Sequence, residues 1–236
     1  MYEATRSQRQ IRTKTKVPSM DALRYYGPKL SDLNIKREAE RLAAMWRYLN
    51  KGFIENIDIL DIVEFKLDFF APGFSFAVVT SDHMMKLLGA SCDKDISIAF
   101  TDLRLKVIYA SESLYDDAYN GDGWARVQLA HELGHAVLHS DYKDRTAHFS
   151  FKYKSKVNSD IDARIRDIPL YRDNERQADI FAKCLMAPDY IVECCNNAYD
   201  LSNKAGIDFP SASARWRFFS DEKAGKVPIF SIRSRQ

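Results

Sequence analysis

Two histidines four residues apart, with a glutamate directly after the first, lie near the middle of the chain. The run His131-Glu132-Leu133-Gly134-His135 fits the pattern H-E-x-x-H. On an α-helix, residues four apart share one face, a turn apart, so both imidazoles can converge on one metal ion. Imidazole nitrogen is a common ligand of Zn²⁺. We therefore predict a zinc site with His131 and His135 as ligands.

Glu132 is the residue of this motif that indicates catalysis. An α-helix has 3.6 residues per turn, so Glu132 is rotated by about 100° from His131. Its carboxylate is expected beside the ion rather than on it, where it can act as a general base toward water. Mostly apolar residues surround the motif. A buried His-Glu-His set without a metal would be costly to desolvate, which favours a metal site over incidental surface histidines.

Two histidines need at least one further ligand, and three residues are candidates. His139 continues the i, i+4 series, but it lies about 12 Å along the helix from His131. A helix-terminal histidine favoured by the helix dipole is the simpler interpretation. Asp141 stands at the third-ligand position of metzincin-type sites, although Leu138 replaces the glycine that those sites need. Glu175, at the start of the next predicted helix, is the strongest candidate.

The residues after Glu175 favour it further. Ala178 and Ala182 share its face and would let this helix approach the H-E-x-x-H helix closely. Asp179, one turn on, can accept a hydrogen bond from the second ring nitrogen of a ligating histidine. The alternative for Glu175 is a solvated first-turn carboxylate, and the alternative for Asp179 is a surface charge.

Hydrophobic periodicity predicts the elements that would carry these residues. Helices are predicted at 34–50, 57–65, from about 122 to 139, from 174 to Pro188, at 190–198 and at 211–219. Strands are predicted at 74–80, 96–100 and 105–110, the last two as a hairpin, and weaker strand patterns occur at 148–153 and 227–232.

Length and composition indicate one medium-sized globular domain with appendages. The chain has 236 residues, of which 46% are apolar and 29% charged, and its net charge of +2 gives no strong reason to expect a polyanionic partner. We predict a basic, flexible N-terminal tail at 1–30, one domain at 31–220 that contains an insertion at 140–173, and a C-terminal extension at 221–236. A nucleic-acid-binding arm is an alternative interpretation of the tail.

A cytoplasmic location without a membrane partner is predicted from what the sequence lacks. No stretch approaches the roughly 20 apolar residues that span a bilayer, and no apolar segment typical of a secretory signal follows the charged N-terminus. The four cysteines, which are Cys92, Cys184, Cys194 and Cys195, include no C-x-x-C pair, so a cysteine metal site is not indicated.

Taken together, the two motifs resemble those of the ImmA/IrrE family of metallopeptidases. The resemblance is carried by HELGHAVLH at 131–139 and by NERQADIFAKCLMAP at 174–188, with its E-x-x-A-D-x-F-A core and Leu-Met-x-Pro ending. Glu175 and Asp179 also resemble the E-x-x-x-D element of thermolysin-like gluzincins. The similarity extends over about residues 35–218.

This resemblance implies an α+β fold, namely a mainly helical metallopeptidase domain with a small β-sheet packed on the H-E-x-x-H helix. It implies that Zn²⁺ is the cofactor. It also implies an endopeptidase whose protein substrate is a regulatory protein, often a helix-turn-helix transcriptional repressor.

Other functions and roles stay open at this stage. One alternative is a non-catalytic regulatory protein that uses a zinc domain to bind a partner or DNA, although such a site has no use for Glu132. Another is a hydrolase that acts on a bond other than the peptide bond. Side chains chemically suited to stabilise an oxyanion are Tyr142, His148, Tyr153 and Tyr171, for each of which a packed aromatic ring is the simpler interpretation. An extended substrate could pair with an edge strand at 96–100.

Overall fold

The structure is a computed structural model that describes residues 27–51, 56–88, 97–140 and 169–227. Helices predominate in these ranges and three short strands form one sheet, so the predicted α+β class is confirmed at that level. In chain order the elements are α1 (Asp32–Leu49), α2 (Ile59–Phe65), α3 (Leu67–Phe70), β1 (Ser75–Val79), α4 (Ser81–Leu87), β2 (Ala99–Asp102), β3 (Val107–Ser111), α5 (Glu112–Tyr119), α6 (Gly123–His139), α7 (Asn174–Met186), α8 (Asp189–Val192), α9 (Ala198–Ala205) and α10 (Phe209–Lys223). A 3-10 helix at Leu170–Arg172 precedes α7.

Helix α1 forms a support on which α7 packs. It begins after Ser31, whose hydroxyl accepts a hydrogen bond from the N–H of Asn34 and so caps the helix. Helical periodicity predicts one apolar stripe, of which Ile35, Ala39, Leu42, Ala43 and Trp46 are buried and Leu49 is half-buried. Arg176 on α7 makes two parallel hydrogen bonds of 2.6 Å to the carboxylate of Asp32. This planar pairing fixes α7 against the start of α1.

The sheet has the order β1-β3-β2, with β1 parallel and β2 antiparallel to β3. The predicted hairpin is confirmed, but its turn lies at 103–106, two residues later than expected. Asp102 explains the shift, because its carboxylate accepts hydrogen bonds from the N–H groups of Arg104 and Leu105. Strand β2 is at one edge of the sheet, and α6 packs against it.

Several predicted boundaries differ from the structure. The predicted helix at 190–198 is wrong as a single element, because α8 ends at Val192 and α9 begins after Asn197, whose side chain caps it. Helix α10 is longer than the predicted 211–219. Helices α3, α4 and α5 were not predicted at all. The strand pattern at 148–153, and all of 227–232 except Val227, lie outside the described residues.

The N-terminal segment at 27–30 lies against the 3-10 helix. The N–H of Gly27 donates to the carbonyl of Arg172 at 2.7 Å, and that of Leu30 donates to the carbonyl of Tyr171 at 3.1 Å. The other residues of the predicted tail, at 1–26, and the stretch 141–168 of the predicted insertion lie outside the described residues. Within the described ranges, no helix combines the length and apolar character needed to cross a bilayer.

Candidate metal centre

Helix α6 brings the H-E-x-x-H motif into the interior of the molecule. Asp122 caps the helix by accepting a hydrogen bond from the N–H of Ala125 at 2.8 Å. Apolar side chains of α6 are buried, as are the polar side chains of His131, Glu132 and His135, each at most 2% exposed. Buried polar groups need partners, so the neighbours of these three residues decide what the site can do.

Helix α7 supplies those neighbours because it approaches α6 very closely. A Cβ atom added to Gly134 would lie 3.0 Å from the ring of Phe181 and 3.2 Å from Cα of Ala178. Glycine at 134 is therefore what allows this approach. Ala178 and Ala182 are fully buried, in agreement with the predicted small-residue face of α7. Asp173 caps α7, and Glu175 lies in its first turn.

The side chains of His131, His135 and Glu175 form a group that could hold a metal ion. The two Nε2 atoms are 3.0 Å apart. Oε2 of Glu175 lies 3.3 Å from Nε2 of His131, and Oε1 lies 3.5 Å from Nε2 of His135. Ligands placed tetrahedrally at about 2.0–2.1 Å from one zinc ion are about 3.3 Å apart. The two nitrogens and the carboxylate could therefore hold a single metal ion.

The charge state of Glu175 suits a metal ligand. Burial acts against its ionised form, but the adjacent imidazoles of His135 and His131 hold the pKa of this carboxyl well below its usual range. The carboxylate is therefore ionised under ordinary conditions, as metal binding requires.

Asp179 lies behind the first histidine. Its Oδ1 is 3.1 Å from Nδ1 of His131, so the nitrogen that faces away from Glu175 has a hydrogen-bond acceptor. This contact fixes the ring so that Nε2 points toward the other candidate ligands, which are His135 and Glu175. The sequence predicts this contact between Asp179 and the second ring nitrogen of a motif histidine.

Glu132 lies next to His131 on α6, and a residue of the sheet binds its carboxylate. Oγ1 of Thr101, on β2, is 2.9 Å from both Oε2 and the carbonyl O of Glu132, so these two acceptors share its single hydroxyl proton. Sequence reasoning missed Thr101, because threonine belongs to no motif and lies 31 residues before Glu132.

His139 is buried at the end of α6 and has two polar neighbours. It ends α6, but it is 1% exposed and its ring contacts His135 and Gln177. Burial, with the nearby imidazole of His135, lowers its pKa to about 3, so the ring is neutral. His139 thus ends the helix, as predicted, and Gln177 is a neighbour that the sequence analysis did not identify.

The contribution of the remaining candidates from the sequence stays a prediction. Asp141, Tyr142, His148 and Tyr153 lie outside the described residues. Tyr171 is 40% exposed, and its role at an oxyanion stays a prediction.

Comparison with known proteins does not assign the chain to a family. No model of a known protein family matches it, and no curated protein does either.

Proposed function

We propose that this protein is a zinc-dependent endopeptidase that hydrolyses a peptide bond in a regulatory protein, with a helix-turn-helix transcriptional repressor as the preferred substrate class. The observation that carries the proposal is the convergence of His131, His135 and Glu175 within 3.0–3.5 Å, with Glu132 next to the first ligand on the same helix. The resemblance of both motifs to ImmA/IrrE metallopeptidases supports the same conclusion.

The donor set favours zinc in a catalytic rather than a structural site. Catalytic zinc sites commonly have three protein ligands, among them the set of two histidines and one glutamate, whereas structural sites more often use four cysteine or histidine ligands. Zinc held by these residues would supply a Lewis acid that makes water nucleophilic near neutral pH.

The protein's own residues account for the movement of the proton. As the water oxygen bonds to the scissile carbonyl carbon, the ionised carboxylate of Glu132 takes a proton from that water. Glu132 then gives the proton to the amide nitrogen as the C–N bond breaks, so one water is consumed for each bond cleaved. Thr101 and Asp179 act by orienting Glu132 and His131.

The proposal is tested by measuring zinc content and cleavage in three proteins: the wild type, Glu132→Gln and His135→Ala. The wild type should bind one zinc ion and cleave, and Glu132→Gln should bind zinc but cleave about 10²- to 10⁴-fold more slowly, because the ligands remain while the base is lost. His135→Ala should lose both zinc and cleavage and should be less stable, since metal binding is coupled to folding.

The substrates to test are repressor proteins encoded near this protein's gene, incubated with and without a chelator and analysed by mass spectrometry of the products. A product formed only by the zinc-loaded wild type supports the proposal and identifies the bond that is cut. Cleavage by Glu132→Gln at the wild-type rate contradicts the mechanism. Tight zinc binding without cleavage of any candidate favours the non-catalytic regulatory alternative.

A further inference from the structure

A continuous series of buried hydrogen bonds extends behind His135. Nδ1 of His135 lies 3.0 Å from Nδ1 of His139, and Nε2 of His139 lies 2.9 Å from Oε1 of Gln177. The Gln177 amide then contacts two backbone carbonyls, those of Pro28 at 2.7 Å and Tyr171 at 2.9 Å. All three side chains are at most 2% exposed, so these contacts are shielded from water.

The direction of each hydrogen bond follows from the two carbonyls. A carbonyl only accepts, so the nitrogen of the Gln177 amide faces both of them and its oxygen faces His139. The amide oxygen also only accepts, so Nε2 of His139 carries the proton. Because burial disfavours a charged imidazole, the ring of His139, which is 1% exposed, carries this one proton only; its Nδ1 is then an acceptor, and Nδ1 of His135 is the donor. When a metal ion occupies the site, the lone pair of His135 is consequently on Nε2, the atom that faces His131 and Glu175.

We propose that His139 and Gln177 are positioning residues: they fix which nitrogen of His135 bears the proton and so prepare Nε2 of His135 to bind the metal. The inference rests on the metal site of the proposed function and is independent of whether the protein cleaves peptides. The carboxylate of Asp179 fixes the protonated nitrogen of His131 in the same way, by accepting a hydrogen bond from its Nδ1. The two ligands are thus oriented by different means, one charged and one neutral.

The series also connects the metal site to the N-terminal segment at 27–30. A Cβ atom added to Gly27 would lie 2.8 Å from Oε1 of Gln177, the atom that accepts from His139. A side chain at 27 would therefore push this oxygen aside, since the end of a glutamine side chain moves more easily than backbone. Substitution at Gly27 thus offers a way to disturb the series without changing α6 or α7.

The matched variants are His139→Leu and His139→Asn. Leucine removes the acceptor for Nδ1 of His135, whereas the carbonyl oxygen of asparagine can occupy the place of Nδ1 of His139 and restore it. Zinc affinity is measured by competition with a chromophoric chelator. We expect His139→Leu to bind zinc about 10- to 100-fold more weakly than the wild type, the range typical of groups that orient a metal ligand. His139→Asn should stay much closer to the wild type, and Gly27→Ala should weaken binding measurably.

A second measurement does not depend on any variant. Nuclear magnetic resonance of the wild type with labelled histidine reports which ring nitrogen is protonated, and we expect Nε2–H at His139 and Nδ1–H at His135. Protonation of His139 on Nδ1 instead would overturn the inference, as would wild-type zinc affinity in a folded His139→Leu. Absence of zinc binding in the wild type would instead refute the proposed metal site itself, so the two failures are distinguishable.

Discussion

The side chain of Thr101 restrains the carboxylate of Glu132. The hydroxyl lies 2.9 Å from Oε2 of Glu132, and Thr101 is 1% exposed, so little water competes for the contact. A hydrogen bond to a charged group contributes about 1.5–3 kcal/mol. In the proposed reaction the same carboxylate must reach a water molecule beside His131 and His135. A carboxylate that is already oriented loses less conformational entropy in the transition state.

Replacement of Thr101 by valine should therefore slow cleavage without affecting zinc. The two side chains have nearly the same shape, so the packing of β2 on α6 should persist. We expect kcat/KM to fall about 10- to 100-fold, from the loss of that hydrogen bond at about 1.4 kcal/mol per tenfold change in rate. Thr101→Ser keeps the hydroxyl and is the control. Equal rates for the valine and serine variants would contradict this role.

The residues of the site that could be predicted are those whose role follows from their spacing within one helix. The spacing within α6 and α7 is enough to place the predicted ligands, Glu132 and Asp179 on the correct faces. Thr101 comes from a strand, and the partners of Gln177 include Pro28, 149 residues away in sequence. Such contacts exist only once the chain has folded, so no local pattern indicates them.

Among the elements, the pair α6 and α7 determines whether the three donors meet. Glu175 comes from a different helix than the two histidines, so its distance to them is set by how closely the helices pack. Gly134 and Ala178 lie at the point of closest approach. The neighbouring Phe181 fills the space on one side and is fully buried. Backbone atoms form much of this contact, so it has little capacity to adjust.

Gly134→Val should separate the two helices and weaken the metal site. Its additional atoms would meet the ring of Phe181 and the backbone of Ala178, and overpacking of this kind costs about 1–3 kcal/mol. We expect a lower melting temperature and at least tenfold weaker zinc binding, measured by calorimetry and chelator competition. Leu138→Val, at a half-buried position of the same helix, controls for the effect of a β-branched residue. Unchanged zinc affinity in Gly134→Val would show that the close approach is not needed.

The long helices were predictable, whereas several of the short ones were not. Helices α1, α6 and α7 have 18, 17 and 13 residues, enough for apolar periodicity to be recognisable. Helices α4 and α5 have only 7 and 8 residues. Their available signals were the capping side chains of Thr80 and Ser111, each of which accepts a hydrogen bond three residues on.

At the scale of the whole molecule, a network of charges joins α1, α8 and α10 on the side of α1. Arg215 on α10 is fully buried and bonds to the carbonyl of Ala187 and the carboxylate of Asp189. Lys36 on α1 pairs with the same aspartate. Glu40 accepts a hydrogen bond from the N–H of Asp189 at 2.8 Å. Because α1 packs against α7, this network also stabilises the packing of the helix that carries Glu175.

Glu40 makes the stability of this network depend on pH. Burial raises its pKa to about 7, and the nearby Asp189 carboxylate acts in the same direction, against the hydrogen bond from the Asp189 N–H and the charges of Arg215 and Lys36. In the unfolded chain the pKa returns to about 4.5. Between these two values the folded protein binds more protons than the unfolded chain, so the free energy of unfolding falls as the pH rises from about 4.5 to 7.

Glu40→Gln should remove this part of the pH dependence. Glutamine resembles the protonated acid, and its carbonyl oxygen can still accept from the N–H of Asp189, so at pH 5 the variant should be more stable than the wild type by less than about 1 kcal/mol. At pH 8 the wild type carries the cost of an ionised Glu40, and the variant should be more stable by roughly 1–3 kcal/mol. Urea unfolding of both proteins at equal zinc concentration measures the difference between their free energies of unfolding at each pH. The other titratable groups are the same in both proteins, so their contributions largely cancel in this difference. A stability difference that stays constant from pH 5 to 8 would mean that Glu40 is already ionised throughout this range, and that Arg215 and Lys36 outweigh its burial.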